Sequence, residues 1–211
     1  MPKLRHSKIA GLVACIAVVS TLCAGFAAPN AATEKDGDRP QLIGPSDTFL
    51  TEQARRLDAL FEQLKSAENA SEAQAFEQAI WQTWLRSGEA PIDALMGQAV
   101  TAMSLGKFRR ALQVLDNIVE RRPNFAEGWN KCATVLYLVG EYARSLADID
   151  RVLAIEPRHF GAISGIALIR LEQGQNEAAI DAVRQALEIH PFLPGAARLL
   201  ERAGIESTDP I

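Results

Sequence analysis

Apolar residues recur along most of this chain with the step of a helix. Leu50, Ala54, Leu57, Leu60, Phe61 and Leu64 fall at i, i+4, i+7, i+10, i+11 and i+14, which draws one stripe along a helix. Residues 65–74 break that stripe. Ser71 and Gln74 then stand at capping-box spacing, so a second helix is predicted to start there. It should carry Phe76, Ile80 and Trp84 inward and stop at Gly88, ahead of Pro91. Runs such as AFEQAIWQTWLRSG and NEAAIDAVRQALEIH are rich in Ala, Leu, Glu, Gln and Arg, all good helix formers. Strand signals are nearly absent. The pattern predicts an all-α chain.

From residue 92 the pattern repeats. Gly106, Gly140 and Gly174 are 34 residues apart, and so are Pro123, Pro157 and Pro191. Three units follow without insertion: 92–125, 126–159 and 160–193. Their eighth places hold Ala99, Ala133 and Ala167; their twentieth hold Ala111, Ser145 and Ala179; their fourth hold Leu95, Trp129 and Ile163. Each choice has a physical reason. The glycine lets the chain reverse in a left-handed conformation after the first helix of a unit. The small residues sit where two helices cross closely, and a larger side chain there would cost about 1–3 kcal/mol. The proline ends the second helix. One helical pair cannot bury its own apolar face and must stack on a neighbour.

This pattern resembles the tetratricopeptide repeat, a helix-turn-helix unit of 34 residues. Unit two carries the motif best, with Trp129, Cys132, Ala133, Leu136, Gly140, Tyr142, Ser145, Ile149, Val152 and Pro157. Unit one departs at Gln98 and Ala102, and unit three at Arg170 and Asn176. The stretches IWQTWLRSG, WNKCATVLYLVGEY and PRHFGAISG also resemble exported repeat proteins of alphaproteobacteria. The implied fold is an α-solenoid of three helix-turn-helix units. A helical hairpin over 47–91 precedes them, and a capping helix and tail over 194–211 follow. Leu199 and Leu200 are expected to cover the end of unit three. The front helices are expected to close the other end. A shift of 34 places Lys65 and Glu72 where the repeat needs a small residue and a glycine, so the front pair is not a fourth unit.

The resemblance implies a concave groove lined by the first helix of each unit. Unit one would present Asp93, Met96, Val100, Met103 and Ser104. Unit two would add Glu127, Asn130, Thr134, Tyr137 and Leu138, and unit three Gly161, Ser164, Leu168, Leu171 and Glu172. That is an apolar trough with acidic spots. The set of basic and amide residues with which some relatives clamp a terminal carboxylate is missing. A peptide with apolar anchors fits better. The front hairpin or the tether filling the trough is the rival.

Composition and charge then narrow the class. The chain has 211 residues and a net charge of −4, which argues against nucleic acid, whose phosphates need a basic stripe. Residues 1–27 read as a secretory signal, basic then apolar then small, with cleavage placed after Ala27. Loss of Lys3, Arg5 and Lys8 would take the net charge from −4 to −7. An uncut membrane anchor, or acylation of Cys15 in LVAC, are the alternatives, and only these would bring membrane contact. Residues 28–46 read as a flexible tether. Export implies a periplasmic protein.

Cleavage would leave Cys132 as the one cysteine, read as a buried apolar filler at place 7 of unit two. Trp129 and Tyr142 are read as core. His159 and His190 fall at unit boundaries, where a cation suits a helix C-terminus. Asp148 and Asp150 diverge on a helix and read as a solvated face. No metal spacing, phosphate loop or nucleophile motif is present, so neither cofactor nor catalysis is predicted. The expectation is a non-catalytic scaffold that holds a protein or peptide segment of the cell envelope. The alternative is a binder of glycan, peptidoglycan or a small ligand.

Overall fold

The computed structural model describes residues 47–205. The predicted signal, its cleavage point and the tether lie outside the described residues, as does the tail from 206 on. Among the described residues there are nine helices and no strand. They are α1 (Asp47–Lys65), α2 (Ala70–Trp84), α3 (Ala90–Ser104), α4 (Phe108–Arg121), α5 (Ala126–Leu138), α6 (Tyr142–Ile155), α7 (Phe160–Glu172), α8 (Asn176–Ile189) and α9 (Ala196–Arg202). Consecutive helices pair as α1–α2, α3–α4, α5–α6 and α7–α8. The second helix of units one and two also packs on the first helix of the next unit. The short α9 lies on α7 and α8.

The repeat is visible atom by atom. Gly106, Gly140 and Gly174 are left-handed, with φ of 66°, 84° and 71°. The N–H of the next residue then donates back to the oxygens of Ala102, Leu136 and Arg170 at 2.8, 2.9 and 2.9 Å. Before each proline, Arg122, Glu156 and His190 turn extended, with φ of −132°, −132° and −129°. The six small residues at places 8 and 20 are all buried. At the crossing of α5 and α6 the Ser145 hydroxyl donates to the Ala133 carbonyl at 2.7 Å, which only a short side chain permits. Trp129 sits half-buried between the cores of units one and two, and its indole N–H donates to the Pro123 carbonyl at 2.9 Å. Tyr142 is half-buried against Tyr137.

The second end is capped as expected. Leu200 is sealed among Ile163, Ala167, Val183 and Ala186, while Leu199 is only partly covered. The first end differs. The sequence places the front pair over the open end of unit one, yet its aromatic face lies against the junction of units two and three. Leu57, Phe61, Leu64, Ala73, Ile80 and Trp84 share one core with Phe160, and Ile189 and Leu193 pack against it. Leu85, at the end of the hairpin, reaches the core of unit one. Without small residues at the crossing places the pair cannot stack as another unit, so its bulky rings find a different seat.

The start of α2 also differs. Its cap is Asn69, which accepts the Glu72 N–H at 3.0 Å, while the Glu72 carboxylate accepts the Glu68 N–H at 3.0 Å. This cap sits two residues ahead of Ser71. Asparagine caps at least as well as serine, and the Glu72 carboxylate takes up the N–H just before the cap.

Candidate functional site

A cavity of about 210 Å³ runs along the first helices of the units. Val100 and Met103 of α3 bound one end. Asn130, Lys131, Ala133, Thr134 and Tyr137 come from α5, and Gly161, Ala162, Ser164, Gly165 and Leu168 from α7. Pro194, Gly195, Arg198, Leu199 and Arg202 close the far end, Ser145 and Ile149 lie beneath, and Trp81 of α2 forms a side wall. Of the residues expected to line a groove, Val100, Met103, Asn130, Thr134, Tyr137, Ser164 and Leu168 come together here. Met96 does not, because it is buried in the core of unit one. Leu138 packs partly against the core of unit two, and Leu171 is half-buried; neither lines the cavity. Met103 and Tyr137 are themselves nearly buried and serve the core as much as the cavity.

Trp81 shows why α2 comes so close. The nearest atom that a Cβ on Gly161 would meet is the rim of the Trp81 ring, at 2.5 Å. Glycine there is therefore the seat of the indole. Behind it, the Trp84 ring stacks on His159 with centroids 4.0 Å apart and planes 7° from parallel. Trp81 meets the same imidazole edge-on at 5.5 Å, and the Lys131 ammonium lies over the Trp81 ring at 5.3 Å. The Asp58–Arg158 pair at 2.7 Å and the Arg158 guanidinium over Phe61 at 4.4 Å hold the other helix of the hairpin. Glu156 and Asp58 together raise the already high pKa of Arg158, with the Glu156 hydrogen bond the larger influence.

The electrostatics of the cavity reverse the expectation of acidic spots. Asp93 is turned away to accept the Ser87 N–H and hydroxyl at 2.8 and 2.6 Å. Glu172 pairs with Arg202 at 3.4 Å. Glu127 is fully buried beneath the surface. Its carboxylate accepts from the Asn130 amide at 2.9 Å, pairs with Lys131 and faces His159 Nε2 at 3.1 Å. Burial alone would raise its pKa, but the Lys131 charge and the His159 contact outweigh burial and hold it at about 2. Among the described residues no carboxylate lines the cavity; Lys131, Arg198 and Arg202 do.

His159 lies at the unit boundary as expected, but at the start of a helix rather than at a helix C-terminus. It is the N-cap of α7, fully buried, and its Nδ1 accepts the Ala162 N–H at 3.1 Å. An accepting Nδ1 assigns the proton to Nε2, which donates it to Glu127. His190 is equally buried, 3.4 Å from Glu77 and edge-on to Phe160.

Three hydroxyls of the cavity have spent their protons. Thr134 donates to the Asn130 carbonyl at 2.8 Å, Ser164 to the Phe160 carbonyl at 2.8 Å and Ser145 to the Ala133 carbonyl at 2.7 Å. One of the two Asn130 amide protons is donated to Glu127. The oxygens of these groups can still accept.

A separate hollow lies between α4, α5 and α6, lined by Asp116, Cys132, Arg144 and Asp148 among others. Cys132 is a free, buried cysteine, and burial first, then Asp148 and Asp116, pushes its thiol pKa well up. A protonated thiol in that position is inert filler. Asp150 is exposed as expected, but Asp148 is half-buried. Burial raises its pKa to about 6, Arg144 opposing and Asp116 adding to the rise. Among the described residues, no group of three or more His, Cys, Asp or Glu side chains could hold a metal ion. No helix there is long and apolar enough to cross a membrane.

Sequence reasoning missed Trp81, Lys131, Arg198 and Arg202. Trp81 lies next to Ile80, outside the single stripe that periodicity picks out. The two arginines lie beyond the last repeat, so no repeat position pointed to them.

The tetratricopeptide repeat family model matches residues 96–160 and 133–194. A TPR repeat-containing protein of Rhizobium etli is 39% identical over 137 residues, which span 65% of this chain and 67% of the relative. The protein CTR9 homolog of Arabidopsis thaliana is 25% identical over 116 residues, 52% of this chain and 10% of that protein. Among solved structures, the crystal structure of the MamA protein superposes with a TM-score of 0.50 at 16% identity, covering 72% of this chain and 81% of that one. The TPR2AB domain of yeast Sti1, in its pHSP90 complex, gives 0.51 at 13% identity, covering 74% and 65%. At such identities the likeness is one of fold. The 34-residue ladder, the family match and the Rhizobium relative together mean that this chain belongs to the tetratricopeptide-repeat proteins.

Proposed function

We propose that the chain is a non-catalytic scaffold, exported to the periplasm, whose groove holds a protein or peptide segment of the cell envelope. The observation that carries the reading is the cavity along α3, α5 and α7. It has an apolar floor of Val100, Ala133, Ile149 and Leu168, and it stays open beside the docked hairpin. A folded ladder has no need of such a hollow, and an apolar concavity with a few polar groups is the usual form of a peptide seat. Yeast Sti1 carries a pHSP90 partner on the same fold, which supports a peptide occupant. Support for export is the basic, apolar and small-residue layout of residues 1–27.

The test is site-specific photocrosslinking from Thr134 or Ser164 in the native cell, followed by mass spectrometry, with fractionation to locate the chain. Capture of one envelope protein is expected, abolished by Leu168→Arg at unchanged melting temperature. Capture that ignores Leu168→Arg counts against the groove, and recovery of the chain in the cytoplasm alone counts against export. Met103 and Tyr137 are poor sites for the probe because replacing either also opens the core.

A further inference from the structure

We infer that one edge of the ladder, formed by the turns inside units one and two, rests on an anionic lipid surface. Leu105 and Val139 enter the headgroup layer, and Lys107, Arg109 and Arg110 meet lipid phosphates. This edge is separate from the groove, and the contact needs neither an uncut anchor nor acylation. Two observations carry it. The first is apolar surface shown to water. Leu105 and Val139 are the C-caps of α3 and α5, at the same place of consecutive units, so they share one edge. They are 62% and 46% exposed, the two most exposed large apolar side chains among the described residues. Unit three carries Gln173 at that place, also as a C-cap, so the fold does not require an apolar residue there. A single exposed leucine is ordinary, but a row of two at a place where the fold accepts glutamine points to a contact.

The second observation is charge. Lys107 is the N-cap of α4, and Arg109 and Arg110 lie in its first turn, which holds no acidic residue. All three are exposed, and no ion pair among the described residues engages them. In the second turn Arg144, which also feels Asp148, stands against Glu141. Residues 104–110 and 138–144 thus hold four cations and one carboxylate, a net charge of +3 in a chain of −4. A helix N-terminus is itself partly positive and favours anions, so cations there work against α4. Side chains and dipole add to one positive edge with an apolar crest. Anionic phospholipid matches both parts, since its phosphates meet the cations and its acyl boundary takes up leucine and valine. Nucleic acid would meet the charge and leave the apolar pair in water.

The experiment places a reporter on the edge of the full chain. Leu105→Trp is titrated with vesicles whose phosphatidylcholine carries brominated acyl chains, either alone or in equal parts with phosphatidylglycerol. The added tryptophan should be quenched by the mixed vesicles and not by phosphatidylcholine alone, with the quenching reversed as salt screens the charge. Residues 1–46 are common to every arm, so whatever they contribute does not move the comparison. Lys107→Gln with Arg109→Gln and Arg110→Gln, added to the reporter, should raise the lipid concentration needed by about a hundredfold. Val139→Gln added instead should raise it by about tenfold. Both sets lie on the surface and should leave the melting temperature no lower. An unquenched reporter overturns the inference, and so does equal quenching by both kinds of vesicle or by the charge variant. An acidic protein that co-purifies with the wild type and is released by Leu105→Gln, with the vesicles left unbound, would assign the edge to a protein and overturn it as well.

Discussion

The three-unit ladder and the front hairpin solve the same problem by different means. Within the ladder the main contacts are with the next helix or the one after. The same alanine, glycine and proline recur each 34 residues because the same crossing recurs. The hairpin has no such repetition. It is held by Phe61, Trp81 and Trp84 against His159, Phe160 and Gly161, and by the Asp58–Arg158 pair, whose partners lie 100 residues apart. Stability built from neighbours is spread along the chain. Stability built from one aromatic seat is concentrated, and a single residue can remove it. The difference teaches that a repeat array can carry a foreign element on a unit junction rather than on its end.

Phe160 joins the two regions, since it opens α7 and lies in the hairpin core. Phe160→Ala should therefore lower unfolding stability by about 4 kcal/mol in urea denaturation, the largest effect expected. A loss below about 1 kcal/mol would mean that the hairpin is not coupled to the array. Next comes Glu127→Ala, which strands Lys131 and His159 beside an empty site and should cost about 3 kcal/mol at neutral pH. The Glu127 pKa is held at about 2 in the fold against a usual 4.5. Its contribution is thus fully present above pH 4.5 and is lost as pH falls toward 2. A cost for Glu127→Ala that stays constant from pH 7 down to pH 2.5 would contradict the network.

Gly161→Ala tests the seat alone. The new methyl should displace the Trp81 ring at a cost of about 1 kcal/mol and shift tryptophan emission to the red, while the helical signal of the array melts as before. The smallest effect belongs to the array by itself. Asp148 has its pKa raised to about 6 in the fold against a usual 3.8. A raised carboxylate favours the fold when protonated, so that stabilisation is full below pH 3.8 and lost as pH rises through 6. Asp148→Asn should then raise the melting temperature by a degree or two at pH 7.5, and leave it unchanged near pH 3.5. A lowered melting temperature at pH 7.5 would reverse the sign.

The ladder could be read from the sequence because its determinants are local and periodic. A glycine at φ near +70° or a methyl at a helix crossing imposes itself wherever it stands. The lining of the cavity was legible in part, through the resemblance to the repeat family, which implies Asn130, Thr134, Ser164 and Leu168. Met96 did not follow, because the same helix face turns into the core of unit one. The charge of the groove was not legible, since it depends on the burial of Glu127, whose carboxylate meets Asn130 and Lys131 of its own helix and His159 at the start of α7. Nor was the hairpin's seat, because no rule of spacing links Trp84 to His159.

The seat of the hairpin bears on how the chain comes to be folded. Residues 47–84 leave the ribosome well before His159 and Phe160 exist to receive them. Phe61 and Trp84 must therefore wait, uncovered, while the ladder assembles from its own short-range pairings, because loop closure over a hundred residues comes late. The first helices to be made are the last to settle, and a helper that shields nascent aromatic surface would act on this stretch before any other.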